Sequence, residues 1–360
     1  MKKLALAVAV AAISMSAQAA PTVYGKIFLS VDAVDSDTDT LSADRSTVTD
    51  STSVSRSKLN STASRIGFKG SEPLTANTDV VYQLEYGVKV DDNSSQFSAR
   101  DTYIGVANKQ YGTLVAGRLT AVDNNVNFAN MAVGAVDGGD NVLAAIDKPR
   151  ANNAFAYTSP SYNGLTFQGM YVADEFSGDE FDANGKHLSN SSRDTFGRDV
   201  YAVAAIYKPT TLPLRAGVSW MQGGDNLKTL RVSGDYKVTP KTTIGALYQN
   251  TDLGEVSGRT EKENAYTLSA SYQTDTPWKV YGQADYVDNA SGFKQAERQR
   301  YILGAQYAFN KAATGHLYAS YRDEDRVAGQ SYFVGGGTTT FTKDEKYQGY
   351  GIGAGIEYKF

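Results

Sequence analysis

Cysteine is absent from the 360 residues, and the chain has only 8 prolines and 2 histidines. Without cysteine there is no disulfide, no reactive thiol, and no thiolate ligand for zinc or an iron–sulfur cluster. After the N-terminal segment, no apolar run approaches 18 residues, so no membrane-spanning helix is predicted. The net charge of −4 makes nucleic acid an unfavourable partner.

The N-terminal segment, MKKLALAVAVAAISMSAQAA, combines two lysines, an apolar run from Leu4 to Met15, and small residues at Ala17 and Ala19. This order is typical of a secretory signal peptide, and we expect cleavage after Ala19. Residues 1–19 are therefore predicted to be the signal peptide, and residues 20–360 to be a single exported domain. Loss of Lys2 and Lys3 would change the net charge to −6.

Tyrosine and glycine are abundant, with 24 and 34 residues spread along the chain, and many segments alternate with a period of two. Leu230, Val232 and Tyr236 alternate with the polar residues Arg231 and Ser233. The closing GYGIGAGIEYKF shows the same alternation. Successive residues of a strand point to opposite faces, so these segments are predicted to be strands with one apolar face.

The connections between these strands alternate in length. Short links such as NKQYG, VTPK and TDTP take turns with long ones, for example residues 33–61, 119–152 and 323–348. Short turns at one end and long loops at the other are typical of an up-and-down barrel. The pattern predicts an all-β antiparallel barrel of about 16 strands, and 14 or 18 strands would also fit.

Aromatic residues indicate which way the apolar face points. Tyr266 and Tyr272, or Trp278 and Tyr286, lie on the same apolar face six to eight residues apart. Eight residues of a strand tilted by about 45° climb about 19 Å, close to the roughly 25 Å lipid-facing band of outer-membrane barrels. A soluble lipocalin-like barrel would instead place its apolar residues inside. The polar opposite face favours a membrane barrel filled with water.

Four segments carry a family resemblance: VYGKIFLSVD, SRIGFKGSEPL, RDTYIGVANKQYGTLVAGR and the closing YKF. They resemble the general trimeric porins of Gram-negative outer membranes. The resemblance implies a sixteen-stranded barrel among outer-membrane lipids, a homotrimer, and a long third loop folded into the pore. It also implies that the last strand is a signal to the barrel-assembly machinery, and Ile356, Tyr358 and Phe360 match that signal.

The resemblance further implies a basic wall at the pore constriction, opposed by carboxylates of the third loop. The basic wall would comprise Lys26, Arg65, Arg100 and Arg150, with Arg118 as a further candidate. The acidic residues available on the loop are Asp123, Asp137, Asp140 and Asp147. Alternation along the strands predicts that Lys26 and Arg65 point into the lumen. It supports the same orientation less strongly for Arg150, and it does not decide the orientation of Arg100. The Pro and Glu usual before DGGD are Ala135 and Val136 here, so strong cation preference is not expected.

Catalysis is not expected, because neither His187 nor His316 has an evident partner for acid–base chemistry. Asp35 and Asp37 could bind Ca²⁺, but their spacing alone is weak evidence, and no cofactor or metal is predicted. The sequence favours passive diffusion of small hydrophilic solutes and ions. One alternative is a substrate-selective porin for sugars or anions. Such a channel usually has a run of aromatic residues along the lumen, and the inward aromatics Tyr281 and Tyr318 are too few to indicate one. The other alternative is a non-conducting barrel adhesin or enzyme.

Overall fold

The computed structural model describes residues 21–92, 96–132, 150–173, 200–223, 227–253, 260–334 and 337–360. These residues form strands and two short 3₁₀ helices, Val122–Asn125 and Ala290–Gly292. The strands are β1 Thr22–Leu41, β2 Val48–Ser61, β3 Arg65–Thr75, β4 Thr78–Val88, β5 Phe97–Asn108, β6 Gly112–Thr120, β7 Arg150–Thr158, β8 Leu165–Val172, β9 Val200–Tyr207, β10 Leu214–Gln222, β11 Lys228–Lys237, β12 Thr242–Asp252, β13 Glu263–Gln273, β14 Trp278–Asp288, β15 Glu297–Ala308, β16 Ala313–Arg326, β17 Ser331–Val334, β18 Gly337–Thr340 and β19 Glu345–Lys359. No helix in the described part of the chain is long and apolar enough to cross a membrane.

The strands form one closed antiparallel barrel. From β3 to β16 each strand pairs with the next along the chain, β16 pairs with β19, and β1 pairs with β19 from Lys26 opposite Lys359 to Thr40 opposite Glu345. Closure leaves the sheet without a lateral edge. Both β2 and β3 pair with β1 and occupy one position in the wall, while β17 and β18 form a separate hairpin. The barrel therefore has sixteen strand positions, and the predicted number is confirmed.

The first hairpin differs from the prediction of a long loop over residues 33–61. Strand β1 continues to Leu41 and β2 begins at Val48, so only a short turn joins them. The prediction of a loop was wrong. The many serine and aspartate residues give this segment no apolar face, so alternation did not reveal strands, but the backbone of the segment still pairs. The break in the wall lies between β2 and β3, where Ala63 has a φ of 50° and Ser64 Oγ accepts a hydrogen bond from the N–H of Phe28.

Burial in this barrel is the inverse of that in a soluble protein. On β11, Leu230 and Val232 are 41% and 47% exposed, whereas Arg231 and Ser233 between them are 0% and 2% exposed. Aromatic residues of the outer face contact one another in two belts. Near the loop ends lie Tyr301, Tyr321 and Tyr350, and near the short turns lie Trp278, Tyr307 and Phe309. The predicted outward direction of the apolar face is confirmed.

Residues 121–132, which follow β6, run along the inner wall of the barrel. Val126 and Phe128 lie over Gly217 of β10, and Ala129 lies over Gly245 of β12. An apolar cluster with inward residues of β8 and β9, including Met170 and Ala202, holds the first part of this segment. The segment therefore crosses the lumen side of strands from β8 to β14.

Candidate pore constriction

Arg65 and Arg100 share one carboxylate on the inner wall. Arg65 Nε lies 3.5 Å from Glu85 Oε2, and Arg100 Nε lies 2.5 Å from Glu85 Oε1. The hydroxyl of Tyr24 donates to Glu85 Oε2 at 3.0 Å. Only 7% of Glu85 is exposed. Two of the predicted basic residues are thus joined through a glutamate that the family resemblance did not indicate.

The inward position of Arg100 depends on a β-bulge. Leu84 is opposite Thr102 and Tyr86 is opposite Ala99, so Arg100 and Asp101 together face the single residue Glu85. A bulge of this kind redirects a side chain beside a functional site. Simple alternation could not decide the orientation of Arg100, because the period of two is interrupted at this residue.

The two remaining inward residues of the basic wall are also paired. Arg150 Nε lies 2.6 Å from Asp101 Oδ1, and the Thr120 hydroxyl donates to the same carboxylate at 2.9 Å. Lys26 Nζ lies 2.9 Å from Glu357 Oε2, and Lys359 contacts the other oxygen at 2.8 Å. Lys26, Arg65, Arg100 and Arg150 each have a carboxylate partner, so much of their charge is neutralised within the wall.

Arg118 does not belong to this wall. It is directly opposite Thr102, which is opposite Leu84, and Leu84 is exposed on the outer face of the barrel. Directly opposite residues of neighbouring strands share a face, so Arg118 points outward and the prediction of a lumen position was wrong. Its guanidinium donates to the carbonyl of Ala99 at 3.1 Å and contacts Asn152. Apolar residues lie on both faces of the strand around Arg118, so alternation in the sequence could not show which face Arg118 is on.

Asp123 lies on the loop segment but faces the opposite wall. Its carboxylate is 3.3 Å from Nη2 of Arg231 on β11, and Nη1 of the same arginine donates to the Asp123 carbonyl at 2.9 Å. Only 1% of Asp123 is exposed. The expectation that it opposes the basic wall across open water was wrong, because the buried Arg231 draws it to the wall as an anchor. Asp137, Asp140 and Asp147 lie outside the described residues.

Backbone donors attach the same loop segment to polar side chains of the wall. Ser233 Oγ accepts the N–H groups of Phe128 and Ala129 at 2.9 and 3.3 Å. Gln283 Oε1 accepts those of Met131 and Ala132 at 2.8 and 3.1 Å. Four backbone donors that follow the 3₁₀ helix are thus satisfied by side chains of the wall. These contacts fix how far the segment extends into the lumen.

A second set of charges lines the loop end of the lumen on β14 to β16. Glu324 is in contact with three arginines, at 3.6 Å from Arg298 Nε, at 2.9 Å from Arg326 Nε, and also with Arg322. Arg300 Nη2 lies 2.9 Å from Asp285. The wall therefore carries both signs of charge on both sides of the barrel.

Sequence reasoning missed the carboxylates Glu85, Asp101 and Glu357, which are integral to the basic wall. Glu85 could have been found, because it lies between the outward residues Leu84 and Tyr86 and must therefore point inward. Glu357 could have been found in the same way from the closing strand. Asp101 could not, because its side depends on the bulge. Among the described residues, no group of three or more His, Asp or Glu side chains could hold a metal ion.

The predicted assembly residues lie on the outer face at the short-turn end. Ile356, Tyr358 and Phe360 are all exposed to the outside. The N–H of Gly25 donates to the Phe360 carbonyl at 2.9 Å, and the N–H of Phe360 donates back at 3.1 Å. Phe360 therefore extends the seam between β1 and β19, and its role in assembly stays a prediction.

An apolar exterior, a charged interior and an inward loop define a transmembrane β-barrel with a polar lumen. The family model described as Gram-negative porin matches residues 5–329, and the chain belongs to that family. Among its relatives is the major outer membrane protein P.IB of Neisseria meningitidis serogroup B, 26% identical over 93% of this chain and 96% of that protein. The P.IA protein of serogroup C is 27% identical over 62% of this chain, and this match spans 58% of the length of P.IA.

Two solved structures share the fold. The anion-selective porin from Comamonas acidovorans has 19% identity and a TM-score of 0.66, covering 94% of this chain and 99% of that one. OmpT of Vibrio cholerae in a trimer form has 17% identity and the same TM-score of 0.66, covering 95% of this chain and 100% of that one.

Proposed function

We propose that this protein forms a water-filled channel for the passive diffusion of small hydrophilic solutes and ions across the outer membrane. The observation that carries the proposal is the lumen, where paired charges of both signs line a passage into which the loop segment 121–132 projects. Such a passage replaces part of the hydration shell of an ion without binding it tightly. The family and the names of its relatives support the same function, with no reaction and no cofactor.

The rival function, that of a sugar-selective porin, needs exposed aromatic surfaces along the lumen. Tyr281 and Tyr318 are only 4% and 6% exposed. Their rings lie against Gly304 and Gly353, so close that an added Cβ would be 2.2 Å and 2.1 Å from ring atoms. The two rings are committed to packing on the wall, which favours the general channel.

Recordings from the purified protein in planar bilayers test the proposed function. We expect steady single-channel conductance that rises in proportion to salt concentration. Block by a sugar or an organic anion at micromolar concentration would instead indicate a selective channel. The absence of any conductance would overturn the channel and favour a non-conducting barrel.

The basic wall should influence ion choice. Arg65→Glu places a negative charge beside Glu85, and we expect the reversal potential in a KCl gradient to shift towards cation preference. Lys109→Glu is the matched control, because Lys109 lies in the turn after β5 and donates to the Ala76 carbonyl outside the lumen. An equal shift in both variants would contradict the assignment. From sequence alone, Asp137→Lys should shift preference towards anions more than Asp182→Lys.

We further infer export by the signal peptide 1–19, insertion by the barrel-assembly machinery, and assembly into a homotrimer surrounded by outer-membrane lipids. The Vibrio cholerae protein OmpT, which shares this fold, has been solved in a trimer form, and that supports the trimer here. Closed symmetry is the usual arrangement of homo-oligomers.

A further inference from the structure

A second group of basic residues lies at the short-turn end of the lumen, below the loop segment. Lys208 directly follows β9, Arg215 is the second residue of β10, and Lys279 is the second residue of β14. The resemblance to general porins did not indicate any of them. We call these three residues the lower basic cluster.

All three side chains are on the inner face. Arg215 is opposite Asp235, which is opposite Gly245, and Gly245 faces the loop residue Ala129. Lys279 lies between the outward residues Trp278 and Val280, and Lys208 lies two residues after the buried, inward Ile206. Alternation along each strand therefore directs the lower basic cluster into the lumen.

Phe128 of the loop segment organises two of these cations. Lys208 Nζ is 5.2 Å and Arg215 Cζ is 5.6 Å from the centre of the Phe128 ring. Both distances are within the range of a cation–π contact. The hydrogen bond from the N–H of Phe128 to Ser233 fixes the backbone behind the ring. The ring thus holds Lys208 and Arg215 at defined positions while both side chains remain exposed to water.

The charges of this cluster are less fully paired than those of the basic wall. Arg215 Nε lies 2.9 Å from Asp235 Oδ1, so that pair is neutral. Within the described ranges, neither Lys208 nor Lys279 contacts a carboxylate. Lys279, the second residue of β14, lies at the same short-turn end of the lumen as Arg215, the second residue of β10. In the described part of the chain Lys208 and Lys279 therefore carry positive charges without a carboxylate contact, whereas Lys26, Arg65, Arg100 and Arg150 each contact a carboxylate.

We propose that Lys208, Arg215 and Lys279 form an anion-attracting site at the short-turn end of the lumen, which is the periplasmic end in outer-membrane barrels. The site favours small inorganic and carboxylate anions and makes the ionic current asymmetric in voltage. The proposal rests on the channel function proposed above. Fixed charges at one end of a narrow pore raise the local concentration of counter-ions there. Their range is the Debye length, about 10 Å at 0.1 M salt and about 3 Å at 1 M.

The test uses the full-length purified protein in planar bilayers, with chloride as the probe anion. We compare wild type with Lys208→Glu/Lys279→Glu at 0.1 M and 1 M KCl, measuring reversal potential and the ratio of single-channel currents at equal voltages of opposite sign. At 0.1 M, we expect the chloride-to-potassium permeability ratio to fall by about twofold or more and the current asymmetry to reverse. Both effects should shrink at 1 M.

Two further variants separate charge from structure. Lys208→Arg/Lys279→Arg keeps the charges and should behave as wild type. Lys241→Glu reverses the charge of one lysine in the turn before β12, where Lys241 contacts Asp275, and should leave both measurements unchanged. The site is overturned if the double glutamate variant conducts with unaltered selectivity, if Lys241→Glu has an equal effect, or if the shift persists at 1 M. A wild-type protein without conductance would overturn the channel function itself.

Discussion

At the residue scale, the bulge on β5 determines the chemistry of the basic wall. Where β4 contributes only Glu85, β5 contributes both Arg100 and Asp101. Strict alternation would allow just one of these two side chains beside the lumen. The extra residue lets Arg100 pair with Glu85 while Asp101 pairs with Arg150. The one extra residue in the bulge therefore allows ion pairs that connect β4, β5 and β7.

Glu85 is the residue whose charge should matter most in this wall. Glu85→Gln keeps the shape and removes the negative charge shared by Arg65 and Arg100, so the reversal potential should shift towards anion preference. Glu72→Gln is the control, because Glu72 lies on β3 opposite the outward Val80. No shift with Glu85→Gln, or the same shift with both, would show that the shared carboxylate does not set the local charge.

At the element scale, two glycines allow the loop segment to lie against the barrel wall. An ideal Cβ on Gly217 would be 3.3 Å from Phe128 and Val126 atoms, and one on Gly245 would be 2.9 Å from the Cα of Ala129. The polar acceptors Ser233 and Gln283 lie on the same wall. The position of the loop segment in the lumen is thus determined by small residues and hydrogen-bond acceptors on β10, β11, β12 and β14.

Gly245→Val should push the loop segment away from β12 and into the lumen. We expect lower single-channel conductance and a loss of roughly 1–3 kcal/mol in stability, the usual range for overpacking. Gly169→Val provides the comparison, because no atom lies within 4 Å of an ideal Cβ on Gly169. Wild-type conductance in the Gly245 variant would mean that this contact does not position the loop segment.

At the scale of the whole molecule, the barrel is closed by residues far apart in the chain. Strand β1 pairs with β19 over fifteen residue pairs, from Lys26–Lys359 to Thr40–Glu345. Phe360 continues the seam by exchanging two hydrogen bonds with Gly25, and its ring lies 2.5 Å from the position of a Cβ on Gly25. Assembly therefore requires that both ends of the chain meet.

Phe360→Asp should reduce assembly more than Lys359→Asp. The first change places a charge on the outer face and removes the ring over Gly25, whereas Lys359 lies on the inner face beside Glu357. The measurement is the amount of heat-sensitive complex near three chain masses extracted from outer membranes in mild detergent. Equal amounts for the two variants would contradict the orientation, and a single-chain band in unheated wild type would contradict the trimer.

The sequence by itself determined the barrel, because side-chain alternation is a local property of each strand and the apolar sets on β11, β13, β14, β15 and β19 are continuous. It also determined the inward positions of Lys26, which lies within an alternating strand, and of Arg65, which precedes the outward Ile66 and Phe68. Only the tertiary structure decided the side of Arg100 and Asp101, where the bulge interrupts the period of two. The outward position of Arg118 followed from pairing across several strands.

The partners of the charged residues were likewise decided only by the tertiary structure. Asp123 and Arg231 are 108 positions apart, and Lys26 and Glu357 are 331 positions apart. Alternation states which face a side chain is on, but it contains no information about which distant side chain stands opposite. Register, closure and the path of the loop segment along the wall set those pairings, and with them the charge that an ion meets in the lumen.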